Sequence, residues 1–201
     1  MRAVFFCGII MGMKNKNKMI VMMGGPGTGK GTFSRLLRQI HPEYTHIETG
    51  AILRAQPDGS PIRIAIAGGN LIPDEMVCDL VAETLSCAPG DLILDGFPRT
   101  LVQAKWLVRN YATKYDIQVV FLNVSDEIME RRISKRKNEG STRRDDADAK
   151  TVHHRIETFH TTTMPAIKWL AGVGDITFSD VDSSEQESVN FARILSALGW
   201  N

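Results

Sequence analysis

A chain of 201 residues with 43% hydrophobic and 23% charged residues fits one domain, with room for small inserted lobes. Its formal net charge of +1 and aromatic content of 7% give no bulk basic field for nucleic acid or for an acidic membrane. Any anion site must therefore be made by cations placed locally.

The first thirteen residues, Met1 to Met13, hold one basic residue and a short apolar run, with the polar Lys14 to Lys18 behind them. The run is too short to span a bilayer. Two readings stand: a signal or transit segment, or a dispensable extension with Met11 or Met13 as the start. Residues 1–18 are accordingly set apart from a core domain over 19–201. Met19 to Met23 is a continuous apolar run before a glycine cluster, the pattern of a buried parallel strand. Gly24-Gly25-Pro26-Gly27-Thr28-Gly29-Lys30-Gly31-Thr32 follows, and then a helix carries Phe33, Leu36 and Leu37. Glycines let successive backbone N–H groups converge on one anion. The helix start is positive, and Lys30 adds a full charge between β- and γ-phosphates. The loop is a phosphate cradle.

Further strands are expected at Tyr44–Ile47, Asp91–Asp95, Val119–Val124 and Asp175–Phe178. Pro73-Asp74-Glu75 opens a helix with Met76, Val77, Leu80, Val81 and Leu85 on one face. Cys78 and Cys87 lie in or just after this helix and read as small buried hydrophobes. With Cys7 they make an odd count and no CxxC, which suits a reducing compartment. Parallel strands joined by helices give a doubly wound α/β sheet of five strands, with ligands at the carboxyl ends. Thr49 to Pro73 and Arg136 to Asp148 stand out as excursions from this core.

Gly31 between Lys30 and Thr32 is a detail of the cradle. GGPGxGKGT resembles the nucleoside-monophosphate kinase family, and Asp95-Gly96-Phe97-Pro98-Arg99-Thr100 is similar to that family's DGFPRT. The resemblance implies a P-loop fold, 49–73 as a monophosphate-binding lobe and 136–148 as a short lid without zinc. It implies that ATP contacts Gly25, Pro26, Gly27, Thr28, Gly29, Lys30, Gly31, Thr32, Arg132 and Arg136. Thr49-Gly50-Ala51-Ile52-Leu53-Arg54 resembles the family's TGDxLR, and Asn70-Leu71-Ile72-Pro73 its GxLVP. By that match AMP is held by Thr49, Gly50, Arg54, Asn70, Leu71 and Ile72. Gly96, Phe97, Pro98, Arg99, Gln103, Arg144 and Arg155 complete its contacts, with Gln103 on the adenine edge. Asp95 is expected to hold Mg²⁺ through water. The groups implied at the transfer point are Lys30, Arg99, Arg136, Arg144 and Arg155.

Two departures from the family pattern are Ala51 and Ala147, each where an aspartate is usual, and the lobe after Arg54 is short. These leave open a UMP/CMP kinase of the same fold, or a nucleotide binder with reduced turnover. Thr100 and Gln103 favour AMP as acceptor. No NKxD guanine signature follows a later strand, which disfavours a GTPase. The resemblance implies a monomer working on ATP, AMP and ADP, without nucleic acid or a membrane span. Its expected place is the cytoplasm, or an organelle if the first thirteen residues target it.

Overall fold

The computed structural model describes residues 16–67, 72–138 and 149–200. In chain order the elements are β1 (Asn17–Gly24), α1 (Lys30–Ile40), β2 (Thr45–Glu48), α2 (Thr49–Arg54) and α3 (Pro61–Ala67). Next come α4 (Asp74–Cys87), β3 (Leu92–Asp95), α5 (Leu101–Tyr111), β4 (Tyr115–Asn123) and α6 (Asp126–Asn138). The chain closes with α7 (Ala149–Thr158), a π-helix at Phe159–Thr163, α8 (Met164–Leu170), β5 (Thr177–Asp182) and α9 (Glu187–Ala197).

The strands form one five-stranded parallel sheet in the order β2-β3-β1-β4-β5. The central strands carry continuous apolar runs, residues 19–23, 92–94 and 119–122, because both faces are covered there. Ile20, Met22, Ile93, Val120 and Leu122 pack with Phe33 and Leu37 of α1 and Ile194 of α9. Met19, Val21, Leu92, Leu94 and Val119 pack on the opposite face with Val81 of α4, Leu107 of α5 and Ile167 of α8. This is the doubly wound arrangement expected from the strand–helix alternation.

Boundaries differ where polar residues hide a strand. β1 begins at Asn17, inside the segment read as an extension, and the Lys18 amide donates to Asp91 Oδ1 at 2.8 Å. Lys16 Nζ donates to the Ala112 carbonyl at 2.8 Å, tying the strand entry to the end of α5. β5 starts two residues later than expected and ends four later, running on through Ser179, Asp180, the buried Val181 and Asp182. It is an edge strand, paired from Gln118↔Thr177 to Asn123↔Asp182, so one row of its residues can stay polar.

In α4 the buried face is Val77, Cys78, Val81 and Leu85. Burial pushes the Cys78 thiol up to about 11, with Asp74 and Asp79 adding to the shift, which fits an inert core thiol. Cys87 is corrected: it is exposed, because the helix ends there and turns its last side chains outward. Among the described residues no helix is long and apolar enough to cross a membrane.

Candidate active site

The loop between β1 and α1 is fixed by its own packing. Gly27 has φ 77, and a Cβ there would stand 2.9 Å from the Met129 carbonyl of α6, so only glycine fits. Thr28 is 1% exposed, and its hydroxyl donates to the Gly25 carbonyl at 2.9 Å. That hydroxyl braces the loop. Lys30 Nζ donates to the carbonyls of Gly24 and Gly25, each at 2.8 Å. The ammonium lies across the mouth of the cradle, at the start of an eleven-residue helix.

At the neighbouring strand end, Asp95 is 6% exposed and pairs in register with Met22 of β1 and Glu48 of β2. Its carboxylate faces the same cleft as Lys30, Gly31 and Thr32. A carboxylate beside a hydroxyl and a phosphate cradle is the hard oxygen set that suits Mg²⁺ carried on nucleotide phosphates. Gly96, with φ 84, follows and lets the chain reverse so that Arg99 Nε donates to its carbonyl at 2.9 Å.

A second cationic side chain approaches from α2. Arg54 Nη2 donates to Glu48 Oε1 at 3.0 Å, and Nη1 lies 3.1 Å from where a Cβ on Gly50 would be. A Cβ on Gly96 would stand 3.4 Å from Arg99 Nη2 and 4.0 Å from the Gly50 nitrogen. Arg54 and Arg99 thus flank the start of α2 from two sides. Thr49 Oγ1, on that turn, is buried with no hydrogen-bond partner among the described residues. A buried hydroxyl without a partner is costly unless something else meets it.

Two clefts open along the carboxyl ends of the strands. The larger holds about 810 Å³ of water-accessible space and runs from the glycine loop to Arg132, Arg136 and the start of α9. The smaller, about 180 Å³, lies between the loop, Gly96–Arg99 and the π-helix. Pro26, Lys30 and Arg155 line both. Arg155 reaches that junction from the end of α7, half-buried.

The sequence model of adenylate kinase covers residues 22–174. The chain belongs to the adenylate kinase family. It is 36% identical over 189 residues to an adenylate kinase of Phocaeicola vulgatus, covering 89% of this chain and 97% of that protein. It is 34% identical over 190 residues to one from Thermus thermophilus, covering 90% and 96% respectively. A probable UMP-CMP kinase 1 of Arabidopsis thaliana is 30% identical over 188 residues, covering 90% of this chain and 89% of that one.

Several of the side chains named by the family resemblance also hold the frame. Phe97 is 1% exposed and stacks edge-on with Trp106, with centroids 5.8 Å apart. Only its backbone can face a nucleotide. Gln103 is 4% exposed, and both ends of its amide are engaged inside the protein. Arg132 Nη2 donates to the carbonyls of Ser183, Ser184 and Glu185 at 2.8, 3.3 and 3.1 Å. Burial, with Arg131 adding to it, lowers the Arg132 pKa, and those carbonyls hold the cation there. Ile72 packs against the core beside α4. Asn70, Leu71 and Arg144 lie outside the described residues, as does most of the expected lid.

Sequence reading missed the loop after β5. Asn190 Nδ2 donates to the carbonyls of Ser183 and Glu185 at 3.1 and 2.6 Å. Ser183 Oγ reaches the Thr28 carbonyl at 3.5 Å, so this loop walls the large cleft beside the cradle. No motif marks it, because its role depends on carbonyls, which every residue has.

Proposed function

We propose that this chain moves the γ-phosphoryl group of ATP to AMP, giving two ADP. The observation that carries the reading is the pair of clefts that meet at Pro26, Lys30 and Arg155. One cleft holds the glycine loop and takes the donor's phosphates. The other is walled by Arg99 and takes the acceptor's phosphate. Two nucleotides end to end therefore bring their phosphates together where Lys30 and Arg155 stand.

The acceptor oxygen of AMP is already anionic at neutral pH, so no general base is required. The reaction needs in-line positioning and cancellation of charge on the transferring group. Backbone N–H groups of residues 27–31 hold the donor phosphates. Lys30 and Arg155 neutralise charge at the transfer point, Arg136 and Arg144 are assigned to the same task, and Arg54 and Arg99 clamp the acceptor. Arginine suits the clamp because its planar fork meets two phosphate oxygens at once. Asp95 is the residue to hold Mg²⁺ through water, and the ion supplies further neutralisation of the phosphate oxygens. By the family resemblance, 49–73 and 136–148 are the segments expected to close over the substrates and exclude water, which would stop ATP hydrolysis.

ADP formation with ATP plus AMP, CMP, UMP or GMP in turn tests this reading. Fastest turnover with AMP is the expected result. Turnover led by UMP or CMP moves the chain to the activity named for its plant relative, and no ADP with any acceptor ends the kinase reading.

A further inference from the structure

Asp74 opens α4 at the exit of the expected acceptor lobe, and Gln103 stands 29 positions later in the first turn of α5. Gln103 Nε2 donates to Asp74 Oδ1 at 2.8 Å, and Gln103 Oε1 accepts from the Arg99 amide at 2.8 Å. Thr100, the N-cap of α5, donates its hydroxyl to Asp74 Oδ2 at 3.0 Å and accepts the Gln103 amide at 3.1 Å. The cluster joins α4, the loop carrying Arg99 and α5 in one hydrogen-bonded unit.

The chemistry of these partners fixes the side-chain amide in one sense. An ionised carboxylate only accepts, and a backbone N–H only donates. Nitrogen must therefore face Asp74 and oxygen must face Arg99, whereas a carboxamide held by hydroxyls or water turns over freely. Each end keeps unused capacity, one N–H on nitrogen and one lone pair on oxygen. That remainder is the donor–acceptor pair a nucleobase edge requires. Adenine offers an N6–H donor beside an N1 acceptor, while a 6-oxopurine offers the reverse, an O6 acceptor beside an N1–H donor.

We propose that Asp74 is a specificity-determining positioning residue that acts through Gln103, setting the amide so that the acceptor site takes a 6-aminopurine and rejects a 6-oxopurine. This rests on the AMP reading above, since it assigns Gln103 to the acceptor base. Asp74 need not touch substrate. Its carboxylate and the Arg99 amide together decide which way the reader faces, and Thr100 keeps that carboxylate aligned.

The test compares kcat/KM for AMP and for IMP at fixed ATP in wild type, Asp74→Asn, Gln103→Leu and the double variant. Asparagine can present either an oxygen or an N–H₂ to Gln103, so it removes the carboxylate's share of the enforcement, leaves the Arg99 amide in place and keeps the volume. Wild type is expected to prefer AMP by about 100-fold or more. Asp74→Asn narrows the preference by about tenfold, chiefly through KM for AMP. In the Gln103→Leu background the same change narrows it no further. Each preference is a ratio read on one preparation, so partial loss of folded protein cancels. Should Asp74→Asn yield no folded protein, Asp74→Glu, which displaces the carboxylate by one methylene, takes its place with the same readings.

An Asp74 variant that keeps the AMP-over-IMP ratio within about twofold overturns the proposal. So does equal narrowing with and without Gln103, which means that Asp74 acts by another route. A wild type that prefers AMP while the variant keeps that preference removes the Asp74 inference alone. A wild type that phosphorylates neither purine removes the acceptor reading and this inference together.

Discussion

The two halves of the site are made of different materials. On the proposed donor side the glycine loop presents backbone, and its shape is dictated by neighbours that leave no room for a side chain, as at Gly27 against the Met129 carbonyl. On the proposed acceptor side the cationic groups are side chains, steered by contacts such as Arg54 on Glu48 and Arg99 on the Gly96 carbonyl. Backbone donors are fixed before the ligand arrives and cost little reorganisation. Long side chains must be ordered when it binds, which leaves room for mobility and for tuning of specificity.

That contrast breaks or holds under substitution, beginning with the largest effect. Lys30→Met is expected to lower kcat by about 10²–10³-fold while leaving the affinity for AMP and the melting temperature nearly unchanged. Turnover near wild type would remove the cradle assignment. Arg99→Ala strikes the other half, and losing charge-assisted bonds to a phosphate raises KM for AMP about 10- to 100-fold. KM for ATP should stay within about twofold; a parallel rise for both nucleotides contradicts the division into halves.

Gly27→Ala combines a positive φ with contact to a backbone atom that has no easy way to give. Chemical denaturation should show a loss of about 1–3 kcal/mol, with weaker ATP binding and unchanged AMP binding. An alanine variant as stable as wild type means that the loop is softer than its packing implies. The smallest effect belongs to Arg54→Ala. This exposed guanidinium is held by a single bond to Glu48, so KM for AMP should rise only severalfold, roughly 3- to 10-fold. An effect as large as that at Arg99 shows that the two guanidinium groups clamp as one unit.

The same division explains what could be read from the sequence. Glycines at fixed offsets after an apolar run specify one backbone path, so the cradle and the strand–helix alternation stand in the text of the chain. Asp95 and Arg99 follow because they sit at the end of a strand whose place in the sheet is fixed by burial. The roles of Asp74, Met129 and Asn190 are set instead by tertiary partners. Asp74 meets Thr100 across 26 positions, and Ser183 meets Thr28 across 155. No local pattern records such pairings. Phe97 shows the limit from the other side, since its motif names the residue but not which way its ring points. Cys87 shows it again, because apolar periodicity gives the face of a helix but not the residue at which it stops.

Calorimetric titration with a pentaphosphate-bridged pair of adenosines tests most directly whether one chain grips two nucleotides end to end. One molecule per chain is expected, with affinity reduced both by Lys30→Met at the junction and by Arg99→Ala on the acceptor side. Binding of two molecules per chain, or an affinity that ignores either substitution, contradicts the shared junction.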